Sequence, residues 1–531
     1  MRRILLLLLP ALVVAGLATP SSAASPYKGF VEETTYVATP YGKIRVEMHR
    51  PAKGRMPVIL QMSPYRYLYT RLRAQGVPTS FYSDRYAPQG YAIAFADLLG
   101  TGESDGCWDY GGAAEAGAGA AVVEWLGTRG WSNGKVGMIG TSYDGAIQAE
   151  IATLAPKHLA AIVPQEPVTS WYGYNYDHAV THNSTDDDES AADTGYPVGT
   201  PDLFDMVLGR TPNTDPDRTP QDHTANLADK TGECESVEHN YRGHLLDPSY
   251  GGFWQERDWT LRAGRVKAAV LMQHGWRDFN TKPDQFTRYW LALAGARDKR
   301  AIVGQWNHTD VFSSPPKGMP VDVRGYLDDF FARYLKGAAA PGLERVPKVL
   351  SQGFDKTWRT SLPLTASPTT FSFRGEPATF VNTGTQTSKA FKQAELGSDP
   401  GTLAYTTAPF PTARRLAGGG TVTADVAMDG VRGQLDATLL DVAPDGILRV
   451  VTLGLLDLRY NDSLAAPRNL VPGVKMRATV TLRPQDAVIA KGHRLALVLA
   501  GSEAVWGVPD PMTGQQYSVD TVSMHLPLVA P

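Results

Sequence analysis

The chain has 531 residues, with 51 Lys and Arg against 54 Asp and Glu, a formal charge of −3 and 43% hydrophobic residues. This balance, with no basic stripe in the sequence, excludes nucleic acid and anionic membrane surfaces as expected partners. The length exceeds what one hydrophobic core supports and requires two or three domains.

The first element is Met1-Arg2-Arg3 followed by the apolar run from Ile4 to Leu17 and the small residues Ser21-Ser22-Ala23-Ala24. A basic start, a short apolar core and a small-residue site predict a signal peptide over residues 1–24, cleaved near Ala23 or Ala24. Pro10 interrupts the run, which falls short of the ~20 apolar residues of a membrane span. The mature chain is therefore expected to be secreted and extracellular, without a membrane anchor. The two cysteines, Cys107 and Cys234, both lie in the exported part and could form one disulfide in an oxidising compartment; spacing alone does not place them within bonding distance.

From residue 27 to 165, strand and helix patterns alternate: Lys43–Met48, Val58–Met62 and Tyr91–Ala96 read as strands, Glu115–Trp125 as an alanine-rich helix, and Val136–Ile139 as a further strand. Such alternation predicts helices covering a mostly parallel sheet. Residues 166–252 break the pattern with aromatic, acidic and histidine-rich text, and read as an inserted, mainly helical cap. The sheet pattern returns over residues 253–340 with Val266–Met272 and Arg300–Val303, separated by a helix from Gln285 to Ala294 and followed by one from Val321 to Leu335. Residues 341–531 alternate with period two, as in Val422–Val426 and Arg494–Leu499, and predict an all-β, jelly-roll-like sandwich.

The chemistry is concentrated at strand ends. Val136-Gly137-Met138-Ile139 runs into Gly140-Thr141-Ser142-Tyr143-Asp144-Gly145 and then a helix-compatible stretch, the layout of a nucleophile elbow that exposes a serine hydroxyl beside a helix N-terminus. A serine needs a base, and the base an orienting acid, found in the order Ser, Asp or Glu, His on later strand ends in α/β-hydrolases. Asp278 follows the Val266 strand and His308 the Arg300 strand; Asp284 and His274 are the competing acid and base, and His274 precedes the acid loop, against that order. Two oxyanion donors are expected: the backbone N–H of Tyr143, and a group on the loop after the Val58 strand, where the Tyr65 phenol stands. No cofactor or metal is implied; the acidic run Asp186–Glu189 carries no complete calcium loop.

These motifs resemble those of the Xaa-Pro dipeptidyl-peptidase and cocaine esterase superfamily of α/β-hydrolases. The matching residues are Ser63-Pro64-Tyr65, Asp97–Ser104, Gly140–Gly145, Asp278-Phe279-Asn280-Thr281-Lys282-Pro283 and Trp306-Asn307-His308, with Leu440–Gly446, Leu458–Tyr460 and Gly492–Leu495 in the sandwich. The resemblance implies a Gly-x-Ser-Tyr-x-Gly elbow, which accommodates Asp144, and a tyrosine phenol in the oxyanion hole, which points to Tyr65. Leu99 departs from the arginine usual in the family's Asp-x-Arg-Gly run, and touches a structural ion pair rather than the chemistry.

The superfamily divides between peptidases releasing Xaa-Pro dipeptides and esterases or acylases. Ser170-Trp171-Tyr172-Gly173-Tyr174 and Asp278–Pro283 resemble peptidase segments and point to a peptide substrate with a free N-terminus and proline second. Trp171, Tyr172 and Tyr174 are the candidate lining of a proline slot, and Glu166 the candidate partner of the substrate amine, with Asp177 an alternative, because a buried ammonium without a counter-charge is costly. Two other readings stay open: an esterase or acylase of the same fold, and a binding protein whose sandwich captures carbohydrate or a surface partner, against which the complete triad argues.

Overall fold

The computed structural model describes residues 21–24, 29–65, 81–184, 196–197, 234–387, 396 and 398–531. The expected leader, apart from residues 21–24, the acidic run Asp186–Glu189 and most of the expected cap lie outside the described residues.

One 11-stranded sheet dominates the first two thirds of the chain. Its strands are β1 (Ser21–Ala24), β2 (Phe30–Thr39), β3 (Gly42–Pro51), β4 (Met56–Ser63), β5 (Ala92–Asp97), β6 (Ser132–Thr141), β7 (Leu159–Gln165), β8 (Ala269–Gly275), β9 (Asp298–Gly304), β10 (Val349–Gln352) and β11 (Trp358–Arg359). Their spatial order is β1-β2-β3-β5-β4-β6-β7-β8-β9-β10-β11. The pairs from β5-β4 through β9-β10 are parallel, whereas β1 to β3, the β3-β5 contact and the β10-β11 edge are antiparallel. β1 occupies the segment where leader cleavage is expected; cleavage there would leave β2 as the edge strand.

Every residue of β4, β5 and β8 is buried, as expected of a sheet covered on both faces. Alternate side chains go to opposite sides. Val58, Leu60 and Met62 join a core with Ala118 and Val122 of helix α1 (Ala113–Gly127) and Ile147 of helix α2 (Tyr143–Thr153). Ile59, Ile93, Ile139, Leu271 and Ile302 face the other way, onto Phe330 and Phe331 of the helix Val323–Phe331.

Chain order reverses at β4, since β5 lies on one side of it and β6 on the other. In open α/β sheets the crevice beyond the carboxyl ends of the strands at such a switch point is where ligands bind. Ser142 follows β6 and Tyr65 follows β4, so the two residues flank that crevice.

Within the expected cap, the described residues form the short helix Trp171–Asn175, small strand pairs and the helix Glu235–Leu245. A disulfide joins Cys234, ahead of that helix, to Cys107, with Cα atoms 5.4 Å apart. Beyond β11 the described strands all pair antiparallel. Two four-stranded sheets, one containing Thr421–Met428 and Gln516–Leu526, the other Asp436–Val442 and Arg494–Ala500, enclose a core of Val422, Val426, Leu439, Leu497 and Met524. This sandwich meets the larger sheet next to the acid loop. Phe279 packs on Trp506 with ring centres 4.0 Å apart, and Asp177 pairs with Arg483 at 3.0 Å.

Candidate active site

Ser142 stands between β6 and α2 with φ 64° and ψ −125°, a conformation L-residues adopt only under constraint. Two glycines make the turn possible. A Cβ on Gly140 would lie 2.5 Å from Asp144 Cβ, and one on Gly145 would lie 2.5 Å from the Gln165 carbonyl oxygen. The helix therefore packs against β7 through Gly145, three residues past the serine, which is why Asp144 can occupy the position where the commoner elbow has glycine. The Ser142 N–H donates to the Gln165 carbonyl at 3.0 Å and ties the elbow to β7.

The Tyr143 N–H is the first of α2, one of the amides with no acceptor inside a helix, and is available to an oxyanion. Its side chain is pinned: the phenol donates to Glu115 at 2.8 Å and accepts from Trp108 Nε1 at 2.8 Å. Tyr65 lies edge-on to Tyr143 with ring centres 6.5 Å apart, and its N–H donates to Ser63 Oγ at 3.0 Å.

Asp278 and His308 come together on neighbouring strand ends, with His308 Nδ1 2.8 Å from Asp278 Oδ2. Asp278 is fully buried and saturated with donors. Its Oδ1 accepts the N–H groups of Asn280 and Thr281 at 2.9 Å, and its Oδ2 also accepts Thr281 Oγ1 at 2.8 Å. Burial alone would raise its carboxyl, but the charge and hydrogen bond of His308, with Glu166 and His274, hold it well below the usual carboxylate range. For His308, burial acts to lower the imidazole, and the Asp278 charge and hydrogen bond outweigh it, so the group is raised. An imidazole bonded through Nδ1 to an ionised carboxylate presents Nε2 as the base.

The other sequence candidates fall elsewhere. Asp284 lies in the first turn of the helix Pro283–Ala292, and His274 is buried with Nε2 donating to the Thr281 carbonyl at 2.7 Å. Glu166, expected to meet a substrate amine, is wholly buried behind the triad, accepting from Gln273 Nε2 at 2.7 Å, Trp306 Nε1 at 3.2 Å and the Gly275 N–H at 2.9 Å. Trp171 and Tyr172, expected to line a proline slot, belong to the core: the Trp171 indole donates to Glu150 at 3.0 Å and the Tyr172 phenol to the Pro248 carbonyl at 2.9 Å. At 0% exposure for Glu166, 1% for Trp171 and 5% for Tyr172, the described residues leave these three side chains little surface to offer a ligand. Tyr174 is the member of that segment reaching the acid loop, where its phenol donates to Asn280 Oδ1 at 3.0 Å. Asp177 is held by Arg483 and by His178, 3.0 Å from each.

Donor atoms of Glu166, His274 and Asp278 lie within 4.8 Å of one another, the residue types of a metal site. Each Asp278 oxygen already accepts two hydrogen bonds from the protein, which leaves no lone pair for a cation. The residues that sequence reasoning missed are Thr281, Gln273 and Trp306, which hold the two loops. Thr281 was readable, because an aspartate accepting the N–H groups two and three residues on is the Asx-turn pattern.

An elbow serine, a histidine–aspartate pair and a helix N-terminus at the switch point of an α/β sheet define a serine hydrolase of the α/β-hydrolase class. The sequence profile of the X-Pro dipeptidyl-peptidase (S15) family matches residues 42–310, and that of the X-Pro dipeptidyl-peptidase C-terminal non-catalytic domain matches residues 341–526. The chain belongs to the S15 family, whose activity implies peptide substrates with proline second. It is 26% identical over 589 residues to a Streptomyces avermitilis protein assigned by name to the Xaa-Pro dipeptidyl-peptidases, covering 91% of this chain and 81% of that one. It is 23% identical over 582 residues to the Xaa-Pro dipeptidyl-peptidase of Lacticaseibacillus casei, covering 94% of this chain and 69% of that one. Similar solved folds include an α-amino acid ester hydrolase (TM-score 0.70, 18% identity, 98% of this chain and 100% of that one) and a CocE/NonD family hydrolase of Staphylococcus aureus (TM-score 0.68, 16% identity, 93% and 94%).

Proposed function

We propose that the protein is an exported serine exopeptidase that releases Xaa-Pro dipeptides from free peptide N-termini through an acyl-enzyme on Ser142. The observation that carries the chemistry is the 2.8 Å contact of His308 Nδ1 with Asp278, one strand end away from the β7 residue that anchors the elbow. His308 Nε2 takes the Ser142 proton as Oγ attacks the carbonyl of the proline residue, and the imidazolium then gives that proton to the leaving amine. The developing oxyanion is met by the Tyr143 N–H and the Tyr65 phenol. Water repeats the sequence on the acyl-enzyme and frees the dipeptide. The choice of peptide over ester rests on the family and on the names of its relatives; the ester hydrolase among the similar folds makes the esterase reading the alternative to be tested. Export is supported by the leader-like first residues and by the Cys107–Cys234 bond, since disulfides persist in oxidising compartments.

A hydrolysis panel tests the substrate. Ala-Pro-p-nitroanilide is expected to be cleaved about 10²-fold faster than its N-acetyl form, because a site built to hydrogen-bond a free amine loses those bonds with a blocked one. Equal rates on the two, or faster turnover of aryl esters than of any Xaa-Pro amide, would assign the protein to the esterases. An organophosphonate is expected to label Ser142. Recovery of protein outside the cell with a new N-terminus near Ala24 tests export, and retention of Met1 in cell-associated protein would refute it.

A further inference from the structure

Glu166 is the first residue beyond β7, between the strand carrying Ser142 and the strand carrying Asp278. It sits in the left-handed region at φ 43°, uncommon for a side chain of this kind, and its N–H donates to the Gln273 carbonyl at 3.0 Å. Its carboxyl reaches both catalytic loops. Oε1 accepts from Gln273 Nε2 on β8 and from Trp306 Nε1, two residues before His308; Oε2 accepts the Gly275 N–H at the end of β8. A fourth neighbour is left over. His274 Nδ1 lies 3.4 Å from Glu166 Oε2, and among the described residues this buried nitrogen makes no hydrogen bond. Because the Thr281 carbonyl can only accept, His274 Nε2 carries a hydrogen, and in the neutral ring Nδ1 is a bare lone pair.

We propose that Glu166 is a positioning residue of the catalytic machinery: it shares one proton with His274, and this uncharged pair clamps the Asp278 loop to the His308 loop. The inference rests on reading Ser142, Asp278 and His308 as the triad. A carboxylate facing a neutral His274 would set two lone pairs against each other in a water-free space beside the Asp278 anion, whereas one proton between Oε2 and Nδ1 satisfies both atoms. Whether that proton is drawn on oxygen or nitrogen, the pair has no net charge. Burial, then the charge and hydrogen bond of Asp278, raises the Glu166 carboxyl well above its usual value, and burial lowers His274 to about 4, so the proton resides mainly on Glu166. The titratable groups facing the pair from the adjoining elements are Asp278 and His308; Gln273, Gly275, Thr281 and Trp306 are uncharged. Among the described residues Asp278 is thereby the net charge presented to His308, and the pair is the point at which β7, β8 and the histidine loop are fastened together.

The test compares Glu166→Gln with Glu166→Leu on Ala-Pro-p-nitroanilide. Gln is uncharged, like the proposed pair, and keeps an acceptor, so kcat is expected to stay within about tenfold and the acid limb of kcat/KM within about 0.3 pH unit of wild type. Leu leaves the Trp306, Gln273 and Gly275 donors without an acceptor, and loosening the loops is expected to lower kcat by about 10²-fold with KM within about threefold. Should the Leu variant not fold, Trp306→Phe removes only the link to the histidine loop and is expected to lower kcat by about tenfold at unchanged KM. A folded Leu or Phe variant with wild-type kcat overturns the clamp. An acid limb about one unit lower in Glu166→Gln overturns the neutral pair, since removing a lone carboxylate would lower the His308 value by that amount. Organophosphonate labelling of the wild type separates the failures: labelled Ser142 with unaffected variants refutes this inference alone, and unlabelled Ser142 refutes the triad beneath it.

Discussion

Replacing Asp278 by Asn keeps the shape of the side chain and exchanges one acceptor for a donor. The amide can be seated in two ways. With NH2 at the Oδ1 position, it faces the N–H groups of Asn280 and Thr281, which approach at 2.9 Å and would both lose their acceptor. Leaving buried donors unsatisfied costs about 1–3 kcal/mol each, so about 2–6 kcal/mol for the two. With NH2 at the Oδ2 position, the Thr281 hydroxyl can rotate to accept, and the remaining neighbour is His308 Nδ1 at 2.8 Å. The second seating is favoured by at least about 2 kcal/mol, a ratio of about 30 to one at 1.4 kcal/mol per decade. In that arrangement His308 must offer Nδ1 as an acceptor, so its hydrogen moves to Nε2, the nitrogen that has to receive the serine proton. Loss of the correct tautomer and of the charge that stabilises the imidazolium together predict a fall in kcat of about 10³- to 10⁴-fold. Turnover of Ala-Pro-p-nitroanilide, with thermal unfolding to show an intact fold, is the assay. A folded Asp278→Asn enzyme within tenfold of wild-type kcat would refute the reasoning.

Tyr65→Phe removes a hydroxyl and little else; if the phenol serves the oxyanion, kcat falls by about 10²-fold with KM nearly unchanged, and a loss of less than about threefold marks a packing residue. Because His308 must be neutral to act as base and its folded value is raised, kcat/KM is expected to fall as pH drops through a limb above the usual imidazole value of about 6.5. A limb below that value contradicts the Asp278 contact in solution. The Cys107–Cys234 bond closes a loop with a sequence separation of 127, for which chain-entropy arithmetic gives about 5 kcal/mol. Reductant should therefore lower the Tm of the wild type and leave that of the Cys107→Ser, Cys234→Ser double variant unchanged, and a reductant-independent wild-type Tm would count against it.

What the sequence determined by itself is everything that depends on neighbours along the chain. The elbow needs glycines at 140 and 145 around Ser142, and Asp278 binds the amides of Asn280 and Thr281 two and three residues on. Both patterns lie within six residues and are visible as text, as is the strand alternation that sets Ser142, Asp278 and His308 at the ends of β6, β8 and β9. Only the tertiary structure decided which polar and aromatic side chains face a ligand. Glu166 finds its partners 107, 109 and 140 residues away at Gln273, Gly275 and Trp306, and Tyr172 finds Pro248 76 residues away. Their local sequence reads as well for a pocket as for a core. Burial is a property of the elements that pack around a residue, and a carboxyl becomes a substrate anchor or an internal clamp according to whether those distant donors arrive to satisfy it.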